Sequence, residues 1–342
     1  MIVKRAPRYN LKALVNNSKL GYYNPGIEAM YVYSETSSSA GRITSYDMNG
    51  NKLQFDLITS DVVSCAATDP DGNIFFVMAN PITSGANIHK YDPYGNLVAS
   101  VIGDGNSAGD TYIKYSNGYI YGGVNGCLVK YDLNLNQIWS VSGMTGLNAG
   151  PYYIYVDSSD NVYTGNQKVL YKINSSGSVQ FTKTVAVGSI NSIVVKSDGS
   201  IVVAGNPGTS PSYRNWEIYS STGTFISGGT LTSSTTYIVD MTSDGTYIYV
   251  ASGNISCNLT QGNKLKVCDL SMSYLIEATL YLSSNCIRAN TLFFYNSKLY
   301  SFGNIDLNPL SVSSPGVIIY NYPSLSVSST FSLPYAKSRI IY

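Results

Sequence analysis

Charge is scarce in this chain of 342 residues, because Asp, Glu, Lys and Arg together make up only 12% of it, against about 25% in an average soluble protein. The 21 basic and 20 acidic residues nearly cancel. We therefore expect no long-range positive field that would attract nucleic acid or an anionic membrane. Hydrophobic residues still make up 44% of the chain, which is enough to fill a core and excludes wholesale disorder.

Histidine occurs once, at His89, and the five cysteines show no CxxC spacing. A Ser-His-Asp triad, a Cys-His pair or a multi-histidine metal site would depend on this single histidine, so these classes of site lose support. The sequence places His89 at the start of a strand, with no carboxylate or nucleophile at a fixed spacing from it. We predict no catalytic residue, no cofactor and no metal.

Two cysteines, Cys257 and Cys268, are close enough in sequence for a disulfide that closes a short loop, as in proteins of an oxidising compartment. The alternative is that all five cysteines are small buried hydrophobic residues. The sequence leaves both interpretations open.

Long hydrophobic runs are also absent, so no transmembrane helix is predicted. Near the N-terminus the longest apolar patch, LKALV, is too short and polar for a signal-peptide core, and we expect no standard secretory route. Residues 1–27 form a basic arm that precedes a single predicted domain, 28–342. The arm has no acidic residue, and its basic residues are Lys4, Arg5, Arg8, Lys12 and Lys19. So sparse a charge disfavours capture of nucleic acid, and we favour a tether to a partner protein over the alternative of a solvated tail.

Repetition is the strongest positive signal in the sequence, because two kinds of hairpin alternate along it. Members of the first kind align at steps of 45, 40, 42, 46, 49 and 52 residues, and they occupy 42–55, 87–100, 127–140, 169–182, 215–227, 264–278 and 316–329. Members of the second kind have tighter turns of the Asp-Gly or Asn-Gly type, and they occupy 65–79, 112–123, 153–165, 192–205, 237–253 and 290–303. Such turns between β-branched and aromatic runs are a strong hairpin signal.

Four strands recurring at this spacing are typical of a β-propeller blade. Because one kind of hairpin outnumbers the other by one, we predict an all-β, seven-bladed propeller in which one blade is shared by the two ends of the chain. The C-terminal strand Arg339-Ile340-Ile341-Tyr342 would pair beside the N-terminal strand 29–34 and close the ring. A six- or eight-bladed ring would leave one hairpin unpaired.

Individual hairpins resemble known repeat families. TDPDGNIFFVM and KSDGSIVVAG are similar to hairpins of the NHL and YVTN propellers, and KYDLNLNQIWS is similar to a blade of the quinoprotein-like propellers. The resemblance spans 29–342 and implies a propeller fold. The quinoprotein tryptophan-docking pattern is absent apart from Trp139, so no cofactor residue carries over.

Asp69 and Asp71, followed by Gly72, resemble part of a calcium-binding loop. A calcium loop needs more oxygen ligands at fixed offsets, and the corresponding positions of other hairpins read SNG, SSDN and SDG. We therefore predict that these aspartates shape a turn. The tyrosine-rich strands, such as Tyr153-Ile154-Tyr155, are interpreted as strands whose two faces pack between blades, in preference to platforms for bases or sugars.

Three consecutive blades carry long loops between their second and third strands, at 205–214, 252–264 and 304–316. Long loops on a rigid scaffold often form recognition surfaces, although drift in unconstrained loops gives the same pattern. The candidate contact residues on this rim are Tyr213, Arg214, Trp216, Asn254, Asn258 and Asp306.

Three functions follow as hypotheses. The first is a non-enzymatic structural or recognition propeller on the exterior of a virion or cell, which joins other structural proteins through its arm or attaches to a host surface protein or glycan. The second is an extracellular propeller enzyme of the lyase or glycosidase type, whose site would need carboxylates from several blades at the central mouth; against it, the predicted inner strands carry few acids, the scattered Asp69, Asp157 and Asp240. The third, an intracellular scaffold of the WD-repeat kind, lacks the expected Gly-His and Trp-Asp dipeptides.

Overall fold

The fold is known from a computed structural model. It describes residues 29–37, 40–47, 52–59, 62–80, 85–102, 113–124, 127–144, 153–209, 213–231, 237–253, 264–279, 288–295, 298–305, 314–321 and 325–332. All regular secondary structure in these ranges is β-strand.

The strands follow one another at short intervals, as expected from the alternation of apolar runs and turn residues. In chain order they are β1 Ala29–Ser37, β2 Ala40–Asp47, β3 Lys52–Thr59, β4 Val62–Thr68, β5 Ile74–Asn80, β6 Gly85–Tyr91, β7 Leu97–Ile102, β8 Ile113–Ser116, β9 Tyr119–Val124, β10 Cys127–Tyr131, β11 Gln137–Val141, β12 Tyr153–Val156, β13 Val162–Asn166, β14 Val169–Ile173, β15 Val179–Thr184, β16 Ser189–Val195, β17 Ile201–Asn206, β18 Trp216–Tyr219, β19 Phe225–Gly229, β20 Tyr237–Ser243, β21 Ile248–Gly253, β22 Lys264–Cys268, β23 Tyr274–Thr279, β24 Arg288–Tyr295, β25 Lys298–Ile305, β26 Ser314–Asn321 and β27 Ser326–Ser332.

These strands form one three-stranded and six four-stranded sheets, in which each strand pairs with its neighbours in sequence. We number them in chain order: sheet 1 holds β1 to β3, sheet 2 holds β4 to β7, and so on to sheet 7, which holds β24 to β27. Every strand pair is antiparallel, and both predicted kinds of hairpin are found in the predicted places. The prediction of an all-β fold of repeated hairpins is therefore confirmed.

Successive sheets meet through their first strands. Strand β4 contacts β8, and the contacts continue in order through β12, β16, β20 and β24. The first strands thus lie side by side, and each fourth strand is farthest from this row. The predicted closing strand, 339–342, lies outside the described residues, so the blade count and the closure of the ring stay predictions.

Aspartate side chains shape the hairpin turns. In the β10–β11 turn, Oδ1 of Asp132 accepts the backbone N–H groups of Asn134 and Asn136, and Oδ2 accepts the side-chain amide of Asn136, each at 2.8 Å. The hydrogen bond from the Asn136 side chain lowers the pKa of Asp132. Equivalent turns begin at Asp69, Asp92 and Asp157. The prediction that Asp69 is a turn residue is confirmed.

Tyrosines fill much of the space between sheets. Tyr153 of sheet 4 is fully buried among residues of sheets 4 and 5, and its hydroxyl donates to the carbonyl of Ile193 at 2.5 Å. Tyr121 occupies the corresponding space between sheets 3 and 4. Both rings contribute a large apolar area, and the Tyr153 hydroxyl also has a hydrogen-bond partner, whereas the buried Tyr121 hydroxyl has none among the described residues. Packing between sheets therefore accounts for the tyrosine-rich strands, as predicted.

Three of the few lysines join neighbouring sheets. Each occupies the same position on a third strand, and its Nζ atom reaches an oxygen of the following sheet. The pairs are Lys90 with the Leu133 carbonyl (2.8 Å), Lys130 with Asp160 Oδ2 (3.2 Å) and Lys172 with the Ser221 carbonyl (3.0 Å). The same Nζ atoms lie 5.5, 3.7 and 5.3 Å from the ring centroids of Phe75, Tyr119 and Tyr163. Three of the 21 basic residues thus contribute to cohesion between sheets.

Candidate contact surface on the fifth sheet

A group of exposed side chains lies at the outer part of sheet 5. We define this surface as Tyr213, Arg214, Phe225 and Ile226. Tyr213 is 46% exposed, Phe225 45% and Ile226 56%, and the Arg214 side chain is 35% exposed. Tyr213 and Arg214 belong to the predicted rim loop at 205–214, whereas Phe225 and Ile226 begin the outermost strand, β19.

The Arg214 guanidinium is fixed by two contacts. Its Nη1 donates to Oε1 of Glu217 at 2.8 Å, and its Cζ lies 4.8 Å from the centroid of the Phe225 ring. A cation above an aromatic face is favoured by the ring's negative centre. The two contacts hold Arg214 and Phe225 together, so this part of the surface is preformed.

Glu217 is a buried carboxylate, and each of its two oxygens accepts a hydrogen bond. Only 2% of its side chain is exposed, and Oε2 accepts the Ala186 backbone N–H and the Tyr219 hydroxyl, both at 2.8 Å. A buried charge is stable only when paired and hydrogen-bonded. Burial, followed by the bond to Glu217, raises the pKa of Tyr219. Because Ala186 follows sheet 4, Glu217 also ties the base of the surface to the preceding sheet.

Two glycines make room for the larger side chains. A Cβ on Gly228 would lie 3.0 Å from Cγ of Glu217 and 3.2 Å from Cδ of Arg214, and a Cβ on Gly229 would lie 3.0 Å from Cζ2 of Trp216. Such distances are shorter than ordinary carbon contacts. The Gly-Gly end of β19 therefore lets Arg214 and Trp216 lie flat against the strand.

Tyr213 is exposed on an unusual backbone conformation. Its φ is +36°, a region that costs a non-glycine residue roughly 1–3 kcal/mol. Its carbonyl accepts a hydrogen bond from Thr230 Oγ1 at 2.9 Å, and the next residue's carbonyl accepts the Gly208 N–H at 2.8 Å. These bonds offset the strain and hold the backbone of the loop in this conformation, from which the exposed ring projects.

The other predicted rim residues have different positions. Trp216 is half-buried and packs against the core cluster between sheets 5 and 6, so its ring contributes to packing. Asn254, Asn258 and Asp306 lie outside the described residues, and so do Lys4, Arg5, Arg8, Lys12 and Lys19 of the arm. For these residues the predictions stand as made.

Cys268 is recorded as a free thiol, and burial raises its pKa to about 12. It is the last residue of β22 and pairs with Ile248 at the turn end of sheet 6. Cys257 itself lies outside the described residues, so the disulfide stays a prediction.

His89 lies near the end of β6, and the prediction that it begins a strand is wrong because β6 starts at Gly85. The His89 ring is half-buried and stacks on Tyr91 with centroids 6.4 Å apart. It therefore contributes to the face of the sheet.

The carboxylates considered for a central enzyme site are occupied by structural hydrogen bonds. Asp69 and Asp157 head turns. Asp240 is fully buried, and it accepts Ser192 Oγ at 3.1 Å and the Leu292 backbone N–H at 3.0 Å. In the described ranges, no cluster of His, Cys, Asp and Glu could hold a metal ion, and no helix is long and apolar enough to cross a membrane.

The repeated four-stranded sheets, meeting through their first strands, define a β-propeller. The solved structure of BamB from Moraxella catarrhalis, itself a β-propeller, is similar, with a TM-score of 0.52 and 13% identity over 84% of this chain and 91% of that one. A protein of unknown function from Bacteroides caccae is similar with a TM-score of 0.52 and 10% identity, over 92% of this chain and 96% of that one.

Identities this low show that the fold is shared and carry no information about function. No protein-family model matches the chain, and no curated protein matches it in sequence. The resemblance of single hairpins to NHL, YVTN and quinoprotein-like repeats therefore stays a prediction, and the function is argued from the residues themselves.

Proposed function

We propose that this β-propeller is a non-enzymatic recognition or structural protein on the exterior of a virion or cell, and that the surface on sheet 5 contacts its partners. The observation that carries the proposal is the outward ring of Tyr213, held in a strained conformation beside Arg214. Tyrosine and arginine are among the residues that contribute most to binding energy at protein interfaces.

The rigid base of the surface supports a binding role. Glu217 fixes the Arg214 side chain, and the hydrogen bonds around Tyr213 fix its backbone, so less conformational freedom remains to be lost when a partner binds. Preorganisation of this kind raises affinity by reducing the entropy cost of association. Exposed Ile226 adds apolar area next to Phe225 at the start of β19.

The use of the carboxylates favours binding over catalysis. A glycosidase needs two carboxyl groups that face a substrate, whereas Asp69, Asp157 and Asp240 accept hydrogen bonds within the protein. The enzyme alternative would therefore have to rely on other residues.

The exterior location rests on composition. Low charge with 31 tyrosines is a composition in which ring area and hydroxyl groups replace ionic contacts. The basic arm, 1–27, would tether the ring to other structural proteins of an assembly, and the sheet 5 surface would remain available for a host surface protein or glycan.

Immunogold labelling of the source culture tests this proposal. Intact particles or cells should be labelled by an antibody against the propeller, and the protein should co-purify with the particle or envelope fraction. Labelling only after the particles or cells are opened would refute an exterior role.

A further inference from the structure

A buried lysine lies at the joint between sheets 3 and 4. Lys114 is on β8, the first strand of sheet 3, and only 5% of its surface is exposed. Its Nζ lies 5.1 Å from the centroid of the Tyr155 ring on β12, the first strand of sheet 4. Strands β8 and β12 are in contact. The ammonium group is therefore enclosed where the two sheets meet.

Lys130 on the same sheet has an ion-pair partner, and Lys114 has none among the described residues. Lys114 pairs across the sheet with Tyr121, which in turn pairs with Lys130. Lys130 forms an ion pair with Asp160 at 3.2 Å. Among the described residues no carboxylate forms an ion pair with Lys114, and its ammonium group faces the neutral Tyr155 ring.

Among the described residues, the titratable groups around Lys114 offer it no free negative charge. Tyr121 on β9 and Tyr155 on β12 both have their pKa raised, mainly by burial, so both rings stay neutral at physiological pH. Lys130 on β10 is another cation. Asp157 and Asp160 in the β12–β13 turn bond to the turn backbone and to Lys130, respectively, and Asp69 in the β4–β5 turn of sheet 2 bonds to its own turn.

Burial without a partner penalises the charged form of an amine. Desolvation accordingly lowers the pKa of Lys114 from 10.5 to about 7. Few buried groups change charge so close to neutrality, and this one does so at the contact between two sheets.

We propose that the joint between sheets 3 and 4 is controlled by protonation, and that proton uptake by Lys114 favours separation of β8 from β12. In the separated or unfolded state the amine regains its ordinary pKa of 10.5. That state therefore binds the proton first as the pH falls. Stability is highest above the unfolded pKa, falls as the pH is lowered towards 7, and becomes constant below that value.

The size of the effect follows from the two pKa values. Between pH 9 and pH 6 the equilibrium constant for opening should rise about a hundredfold through this group alone. The proposal does not depend on the proposed function, because it concerns cohesion between sheets.

Urea denaturation of the full chain at pH 6 and pH 9 tests the proposal with the variants Lys114→Met and Lys168→Met. Lys168 is exposed, so its variant should follow the wild type. Lys114→Met keeps the length of the side chain and removes the amine, so its unfolding constant should lack the hundredfold rise. Parallel behaviour of Lys114→Met and the wild type would overturn the proposal.

A second measurement needs no variant and decides the matter if Lys114→Met does not fold. The ¹³Cε chemical shift of Lys114 in the wild-type protein should titrate with a midpoint near pH 7. A midpoint above pH 9 would show an ordinary amine and would also overturn the proposal.

Discussion

Asp240 provides the sharpest test of how the sheets are held together. This residue of β20 is fully buried. Its Oδ1 accepts from Ser192 Oγ of β16 and from the Met241 backbone N–H, and its Oδ2 accepts from the Leu292 backbone N–H of β24. One carboxylate therefore links the first strands of sheets 5, 6 and 7, and we propose the substitution Asp240→Asn.

The expected loss follows from these bonds. Asparagine keeps the shape but replaces one acceptor by an amide donor, so one of the three buried donors loses its acceptor. An unsatisfied buried donor costs about 1–3 kcal/mol, and the remaining bonds lose the strength that a charged acceptor gives. We expect the free energy of unfolding to fall by about 2–4 kcal/mol.

Urea denaturation followed by circular dichroism measures this change. Asp71→Asn is the matched control, because Asp71 is an exposed turn residue and its change should stay within about 0.5 kcal/mol. If Asp240→Asn cost no more than Asp71→Asn, the sheets would not be joined through this carboxylate, and the arrangement of first strands described above would be wrong.

Three further predictions concern closure, the arm and the sheet 5 surface. Deletion of 338–342 should lower stability by several kcal/mol, on the order of a lost core strand, and an unchanged melting temperature would contradict closure by this segment. Removal of 1–24 should leave the sheets folded and weaken assembly, so loss of the folded circular dichroism spectrum would show that the arm is part of the fold. Gly229→Val should displace the Trp216 ring, whose Cζ2 lies 3.0 Å from the new Cβ, and cost about 1–3 kcal/mol. An unchanged near-ultraviolet tryptophan signal would contradict this packing.

The hairpins were predictable because their signals are local. Period-two alternation and turn residues lie within about fifteen residues of each other, as in the pair Asp132 and Asn136, whose side chains and backbone close one turn. The propeller class followed from the repetition of these hairpins.

The sheet 5 surface was predicted only in part. Tyr213 and Arg214 stood out by residue type, whereas Phe225 and Glu217 did not, because their roles depend on contacts formed after folding. Glu217 is stabilised by an N–H from Ala186, 31 residues earlier in the chain. An acidic residue inside an apolar third strand was the available signal for a buried partner.

The contacts of Asp240 were also beyond what the sequence could predict. The sequence showed only that it lies in a predicted inner strand, whereas in the fold its side chain lies between sheets, where Ser192 and Leu292 from two different strands supply its donors. Both partners are about fifty residues away in sequence, so no local pattern could identify them.

The central claim, recognition through the sheet 5 surface, is tested most directly by binding of fluorescently labelled protein to intact cells and purified particles from the source culture. The double variant Tyr213→Ala with Ile226→Ser removes exposed groups and leaves the Arg214–Glu217 pair in place. Tyr94→Ala is the matched control, because Tyr94 is 80% exposed in the β6–β7 turn of a different sheet, sheet 2. We predict that the double variant binds at least about tenfold more weakly and that the control binds like the wild type. Equal binding by all three proteins, or an equal loss in both variants, would contradict the account.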